Sequence, residues 1–194
     1  MKSNIIISGV GGQGILTIAA VLDTAAVNGN LYVKQAEVHG MSQRGGAVQS
    51  HVRISDKKIY SDLIPQGEAD MILSVEPMES LRYLPYLKKD GWIITDSTLF
   101  TNIENYPDKA TLFDQIRAYP NHLIIDATDI AKAIGNSKIA NMVLLGAASS
   151  LIGISEDSFK EAITDLFKHK GEKITALNIE AFDKGKAVAK TTMA

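Results

Sequence analysis

The stretch "NIIISGVGGQGILTIAAVLDTAAVNG", Asn4 to Gly29, constrains the fold more than any other part of the chain. Its β-branched run ends at glycine, the pattern of a buried strand. A segment of helical length follows, and Asn28-Gly29 supplies a stop. Between them "GVGGQG" leaves room only for a tight turn. A strand turning through glycines into a helix is the opening unit of a sheet whose strands alternate with helices, and that alternation argues for a mostly parallel sheet covered on both faces.

The rest of the chain continues the pattern. "LYVKQAE" reads as the second strand. "AVQSHVRIS" and "KKIYS" alternate around Ser55-Asp56, which predicts an inserted β-hairpin from Ala47 to Ser61. "ADMILSVE" and "GWIITDS" are further strands, separated by the helical "MESLRYLPYLKKDG", in which Pro85 should kink or shorten the helix. The signal weakens between Ser97 and Asn121, where "TLFDQIRAY" predicts a short helix. "HLIIDAT" is another strand. Ser137 and Ser155 read as N-caps of two helices, the second with Glu156 and Asp157 in its first turn, where they favour the macrodipole. A last helix is expected from about Glu172. The expectation is an α/β, Rossmann-like architecture: a mostly parallel sheet with helices on both faces, an inserted hairpin and C-terminal helices. It forms one domain over 1–194, with a helical tail from about 155.

Composition removes several functions. A net charge of −2 gives a nucleic-acid partner no support. The chain has no Cys, which excludes disulfides, a thiolate nucleophile, cysteine-ligated zinc and an iron–sulfur cluster held by its own thiolates. The N-terminal apolar run is too soon broken by glycine for a signal or membrane segment. "IANMVLLGAASSLIGI" carries Asn141 and several small residues, which suits a buried helix. These features predict a soluble, cytoplasmic protein with no membrane partner.

Gly9, Gly11 and Gly14 satisfy G-x-G-x-x-G at the end of a strand and the start of a helix, the context that gives the pattern meaning. The functional reading is a phosphate-bearing ligand near Gly11, Gly12 and Gln13, held by unpaired N–H groups and the positive end of the helix dipole. The other reading is that the glycines only permit close strand–helix packing. A dinucleotide fold wants an acid at the end of the second strand, and Glu37 lies 37 − 14 = 23 residues past Gly14. A second glycine-rich stretch follows it at once, in place of the usual crossover helix, which argues against a conventional nicotinamide or flavin site.

That stretch, Glu37 to Gly46, reads "EVHGMSQRGG". Ser42, Gln43 and Arg44 place donors beside Gly45 and Gly46, whose backbone reaches positive φ and can form an anion-binding nest. Both glycine stretches fall at the C-terminal ends of their strands, where open α/β sheets place ligands. They are expected to face one crevice, with Arg44 as the main charge for a phosphate or carboxylate. His39 and His51 are too isolated for a metal site. There is no G-x-x-x-x-G-K-[ST] loop, G-x-S-x-G elbow or H-E-x-x-H, and so no self-contained catalytic constellation.

The two stretches together, "GVGGQG" and "AEVHGMSQRGGAVQSHVRI", resemble the gamma-domain family of 2-oxoacid:ferredoxin oxidoreductases, and more narrowly the beta subunits of its indolepyruvate-specific branch. The likeness continues through "YSDLIPQGEADMILSVEPMESLRYLPYLKKDG" into "NMVLLGA", up to about Gly153. It implies oxidative decarboxylation of an aryl 2-oxoacid, with coenzyme A taking the acyl group and ferredoxin the electrons. It also implies that thiamine diphosphate and the 4Fe-4S clusters are carried mainly by a larger alpha subunit, in agreement with the missing Cys. Carried over to this sequence, the resemblance points to coenzyme A contact at Gly9, Gly11, Gly12, Gln13, Gly14, Ser42, Gln43, Arg44, Gly45 and Gly46. Glu37 and His39 are expected to brace the loop or meet the partner subunit. Glu76 and Asn141 also match, as buried hydrogen-bonding residues.

The apolar run from Met142 to Ile154 is expected in the core ahead of an interface. The hairpin is a candidate subunit contact, with Lys57 and Lys58 solvated near its tip. A stand-alone nucleotide-binding or regulatory module, and a scaffold whose loops are purely structural, remain as other readings.

Overall fold

The computed structural model describes residues 1–39 and 45–193. Its strands are β1 (Lys2–Val10), β2 (Tyr32–His39), β3 (Ala47–Ser55), β4 (Ala69–Ser74), β5 (Leu87–Asp96) and β6 (His122–Ile125). They form one sheet in the order β2-β3-β1-β4-β5-β6. β1, β4, β5 and β6 are mutually parallel, while β3 lies antiparallel to both β1 and β2. The apolar runs are buried on both sides, as the sequence predicts. Ile5 and Ile7 enter one core and Ile6 the other, all three at 0% exposure.

The larger core lies under α1 (Ile15–Asn28), α4 (Ala127–Ile134), α5 (Ala140–Ser149), α6 (Glu156–Phe167) and α7 (Glu172–Thr192). The opposite face carries α2 (Pro77–Arg82) and α3 (Lys109–Arg117). Every residue of α5 is buried, so the apolar segment expected in the core from Met142 to Ile154 is core as far as Ser149, while Ser150, Leu151 and Gly153 beyond the helix are exposed. The helix is closed by α7 across two glycines. A Cβ on Gly146 would lie 1.9 Å from the Phe182 carbonyl oxygen, and one on Gly185 would lie 1.8 Å from that of Val143. Phe159 of α6 and Phe182 of α7 meet at 5.3 Å in the same core. The C-terminal helices therefore complete the hydrophobic layer over the sheet rather than trail from it.

Three local expectations are corrected. The hairpin partner of β3 is β2, and the glycine-rich stretch between them is its connection. Residues 57–61 form no strand. The Ser55 hydroxyl accepts the Lys57 N–H (3.0 Å) and turns the chain. The Arg53 guanidinium then holds the segment by donating to the carbonyls of Ser61 (2.9 Å) and Leu63 (3.0 Å). Lys57 and Lys58 are exposed, as predicted. Second, the helix after β4 ends at Arg82, and Pro85 sits in a separate 3-10 turn. "LKKDG" opens β5 instead of closing the helix. Third, Ser137 caps no α-helix. Asn136 accepts from the Lys138 N–H at a 3-10 turn that leads into α5, and α4 precedes it where only a strand end was expected. The α3 and α7 helices and the Ser155 cap agree with the sequence reading.

No described helix is long and apolar enough to cross a membrane.

Candidate functional site

The first glycine loop is built by its own backbone. The Gln13 side-chain carbonyl accepts the Val10 N–H (2.8 Å), and the Gln13 N–H donates to the Val10 carbonyl (3.1 Å), closing the turn on itself. A Cβ at Gly9 would lie 2.9 Å from Gln13 Oε1, so this glycine is needed for space. Gly14 has φ +80°, in the left-handed region, and directs the chain into α1. Its would-be Cβ lies 2.5 Å from Asn141 Nδ2, and the Asn141 amide donates to the Gly14 carbonyl (3.1 Å). Loop and α5 are thus locked together. Gly12, at φ +100°, has no described atom within 4 Å of a would-be Cβ and stays open. No side chain caps the start of α1 and its own first turn has no acid, so the positive dipole end carries no counter-charge from that turn, although the Thr17 N–H is already given to the Gly14 carbonyl (3.1 Å).

The second loop meets the first directly. Because β3 runs antiparallel to β1, its start lies at the C-terminal end of β1, with Val10 opposite Ala47. The Gly11 N–H donates to the Gly46 carbonyl (2.9 Å), which brings the two glycine stretches together as the sequence predicts. Gly45, at φ +80°, likewise has no described atom within 4 Å of a would-be Cβ. Ser42, Gln43 and Arg44 lie outside the described residues. His39 ends β2 opposite Val48. Glu37 is exposed and lines a concavity of about 450 Å³ together with Gly11, Gly12, Gly14, Thr17 and Val48.

On the other side of the loop lies a larger cleft of about 610 Å³. Gly12, Gln13 and Gly14 form one wall, Asn141 and Lys138 another, and the segment Asp96 to Phe100 a third, with Lys170 at its rim. Asp96, only 1% exposed, ends β5 and receives the hydroxyl and N–H of Thr128. Burial pushes its pKa up, against those hydrogen bonds. With its oxygens taken by Thr128 in the first turn of α4, whose N-cap position is Asp126, Asp96 ties β5 to that helix and lines the cleft. Lys170 lies over the Phe167 ring at 5.2 Å.

Glu76 is the N-cap of α2, a local pattern, but two of its other partners lie far along the chain. It is fully buried, and its carboxylate accepts the Glu79 N–H (2.9 Å), the Phe100 N–H (3.4 Å) and the Tyr106 hydroxyl. Burial raises its pKa while Tyr106 lowers it. Farther away, His51 is structural. Its Nδ1 accepts the Ile64 N–H (3.1 Å) and its ring meets Tyr86 edge-on at 5.4 Å. Burial lowers its pKa, with Asp62 opposing, which keeps the accepting nitrogen unprotonated. Among the described residues no group of three His, Cys, Asp or Glu is placed to hold a metal ion.

The pyruvate ferredoxin/flavodoxin oxidoreductase family model matches residues 4–188, well beyond the limit near Gly153 that the motifs suggest. Indolepyruvate oxidoreductase subunit IorB of Thermococcus kodakarensis is 39% identical over 96% of each chain. The pyruvate/ketoisovalerate oxidoreductases common subunit gamma of Pyrococcus furiosus is 30% identical over 91% of this chain and 93% of that one. Among solved structures, the keto/oxoacid ferredoxin oxidoreductase gamma subunit of Geobacter sulfurreducens superposes with a TM-score of 0.73 at 28% identity, covering 97% and 99% of the two chains. The 2-oxoglutarate:ferredoxin oxidoreductase of Magnetococcus marinus, solved with 2-oxoglutarate, coenzyme A and succinyl-CoA bound, matches at a TM-score of 0.78 and 28% identity. There 98% of this chain covers 31% of a longer polypeptide.

Proposed function

The chain belongs to the pyruvate ferredoxin/flavodoxin oxidoreductase family, and from that premise we propose that it is the beta subunit of an indolepyruvate, or related aryl 2-oxoacid, ferredoxin oxidoreductase. The complex takes an aryl 2-oxoacid and coenzyme A to an aryl-acetyl-CoA and carbon dioxide. The two electrons released pass to ferredoxin. What supports this reading is the 39% identity along 96% of both chains with an indolepyruvate oxidoreductase subunit.

The chain's own donors do not fit an iron–sulfur cluster, because clusters are held by thiolates and the sequence has no Cys. We assign the clusters and thiamine diphosphate to a larger alpha subunit and derive no step through them. Coenzyme A does fit. Gly12 offers an open backbone cradle beside the uncapped N-terminus of α1, the arrangement that receives a phosphate. Gly12 would receive one side of such a group within the turn shaped by Gly11, Gln13 and Gly14, since the Gly11 and Gln13 N–H groups, expected to be unpaired, are already given to the Gly46 and Val10 carbonyls. Ser42, Gln43, Arg44, Gly45 and Gly46 would hold the other. When bound, coenzyme A supplies the thiol that accepts the acyl group. The chain's residues bind and orient its phosphates and exclude water from them, while the chemistry proceeds on the partner. Glu37 and His39 brace the loop or meet that partner in the cytoplasm.

The test is co-expression with an alpha subunit and purification of both forms. The complex is expected to reduce ferredoxin with indolepyruvate or phenylpyruvate and coenzyme A, whereas the isolated chain turns over neither. Full activity of the isolated chain overturns the proposal. Saturable NAD, FAD or ATP binding without affinity for an alpha subunit would assign the stand-alone nucleotide-binding module instead.

A further inference from the structure

Between β5 and α3 the chain runs without regular structure for the twelve residues 97–108, yet it is tied down at both levels of the site. At its base, the Phe100 N–H and the Tyr106 hydroxyl both donate to Glu76. Glu76 is itself fixed. Its other oxygen caps α2 through the Glu79 N–H, and its carbonyl accepts the Ser74 hydroxyl (2.6 Å), which is bonded in turn to Ser8 of β1. At its outer side, Asn102 Nδ2 donates to the Gly45 carbonyl (2.8 Å). The next carbonyl, that of Gly46, accepts the Gly11 N–H. The segment's first residues, Thr98, Leu99 and Phe100, also form a wall of the larger cleft.

We propose that Glu76 is a positioning residue that acts through this strap: Glu76 anchors it, and Asn102 uses it to hold the second glycine loop against the first. Past Ser97, whose N–H still bonds the Ile125 carbonyl (2.9 Å), the segment has no ladder, so beside the packing of Leu99 and Tyr106 its few bonds decide where it lies. Two of those bonds, that from the Phe100 N–H at 3.4 Å and that from the Tyr106 hydroxyl, converge on one oxygen of a buried carboxyl group. A third bond lands on the backbone of the loop whose neighbouring carbonyl closes the site. The strap therefore transmits the position of the rigid β1–β4 layer to Gly45 and Gly46, which otherwise sit at the end of a hairpin turn.

The kinetic side of this inference rests on the proposed coenzyme A site; the structural side does not. Asn102→Leu approximates the shape of the side chain and removes the donor without adding a charge, and Tyr106→Phe removes one anchor without opening a cavity. In both variants, hydrogen exchange of the Gly11 amide is expected to accelerate roughly tenfold, the scale of one lost hydrogen bond, with the urea midpoint little changed. In the complex with the alpha subunit, the KM for coenzyme A should rise by a similar factor, roughly tenfold, while kcat and the KM for the 2-oxoacid stay within about twofold. Glu76→Ala should show the same pattern if it folds, and the two milder variants carry the test if it does not. Unchanged Gly11 exchange in both variants overturns the proposal. Faster exchange with an unmoved KM for coenzyme A upholds the strap and refutes the coenzyme A reading.

Discussion

Gly14 and Asn141 offer a sharp test of how the site is built, because one substitution meets two obstacles that can be separated. Gly14→Ala places a side chain at φ +80°, a conformation that disfavours a non-glycine residue by roughly 1–2 kcal/mol. The new methyl would also lie 2.5 Å from Asn141 Nδ2, so the amide must move and lose its bond to the Gly14 carbonyl. That second loss adds about 1 kcal/mol, for a total of about 2–3 kcal/mol. Asn141→Ala alone removes the same bond and the local one to the Met142 N–H, at about 1–2 kcal/mol. In the double variant the overlap is gone and only the backbone strain is new. The two effects should therefore sum to about 1 kcal/mol less than the separate costs predict. Urea unfolding of the four proteins measures this coupling. Strict additivity, within about 0.3 kcal/mol, would show that Asn141 does not fill the space over Gly14, and the lock between loop and α5 would be wrong.

Three further predictions follow from buried groups. Asp23 has an oxygen shielded from water with no hydrogen-bond partner among the described residues, and burial pushes its pKa up to about 6. The folded protein binds this proton more tightly than the unfolded chain. Stability should therefore fall as pH rises from 4 to 6, and Asp23→Asn should gain about 1 kcal/mol above pH 6, the full shift being discounted for the partly solvated side chain, with no gain at pH 4. His51 has the opposite linkage. Its lowered pKa means that the unfolded chain takes up the proton first, so the contribution of the neutral ring is complete above about pH 6.5 and is lost as pH falls below it. A pH series of urea midpoints should show that decline in the native chain and not in His51→Gln. Gly146→Ala gains helix propensity of about 1 kcal/mol but drives a methyl to 1.9 Å from the Phe182 carbonyl, so α7 must lift away. We expect a net loss of about 2 kcal/mol or more and a lower Tm by thermal unfolding.

The parts of the fold that sequence made legible are those whose signal is local. Ile5, Ile6 and Ile7 must be buried on both faces whatever their neighbours are, and Gly14 must follow from the turn into α1. The hairpin misread has a different origin. Alternation in "AVQSHVRIS" is genuine, but which strand it pairs with is decided by β1 and β2 together. α4 was missed although its signal is local: Asp126 stands at its N-cap, Gly135 ends it, and Ala127, Ile130, Ala131 and Ile134 recur at helical spacing, but "HLIIDAT" drew the strand over its first turn. In the site the missed signals are distant ones. The glycine loops carry a readable motif, and Glu76 and Asn141 were expected only as buried hydrogen-bonding residues. The bonds to Glu76 span 24 and 30 residues, and Asn102 reaches Gly45 across 57. No spacing rule links such positions; only the folded sheet edge does.

The sheet order explains why the inserted strand matters for function. α1 carries the chain from β1 to β2 over one face, and α2 carries it from β4 to β5 over the other. Between β1 and β4 the connections part, and at such a switch point the C-terminal strand ends leave a crevice. Here that crevice holds the Gly12–Gly14 turn, Val75 beyond β4 and Asp96 of β5. In an uninterrupted crossover pattern a second helix would leave β2 and cover the flank of the glycine loop. An antiparallel β3 instead returns the chain to the same edge and lays Gly46 against Gly11. The result is one helix N-terminus faced by a turn, with the would-be Cβ positions of Gly12 and Gly45 clear of every described atom within 4 Å. A nucleotide-binding module working alone needs walls that enclose its ligand. On the proposed reading, a subunit that presents coenzyme A to chemistry on another chain would need the reverse: a phosphate cradle held from beneath, by Asn141 and the proposed Glu76 strap, and open toward its partner.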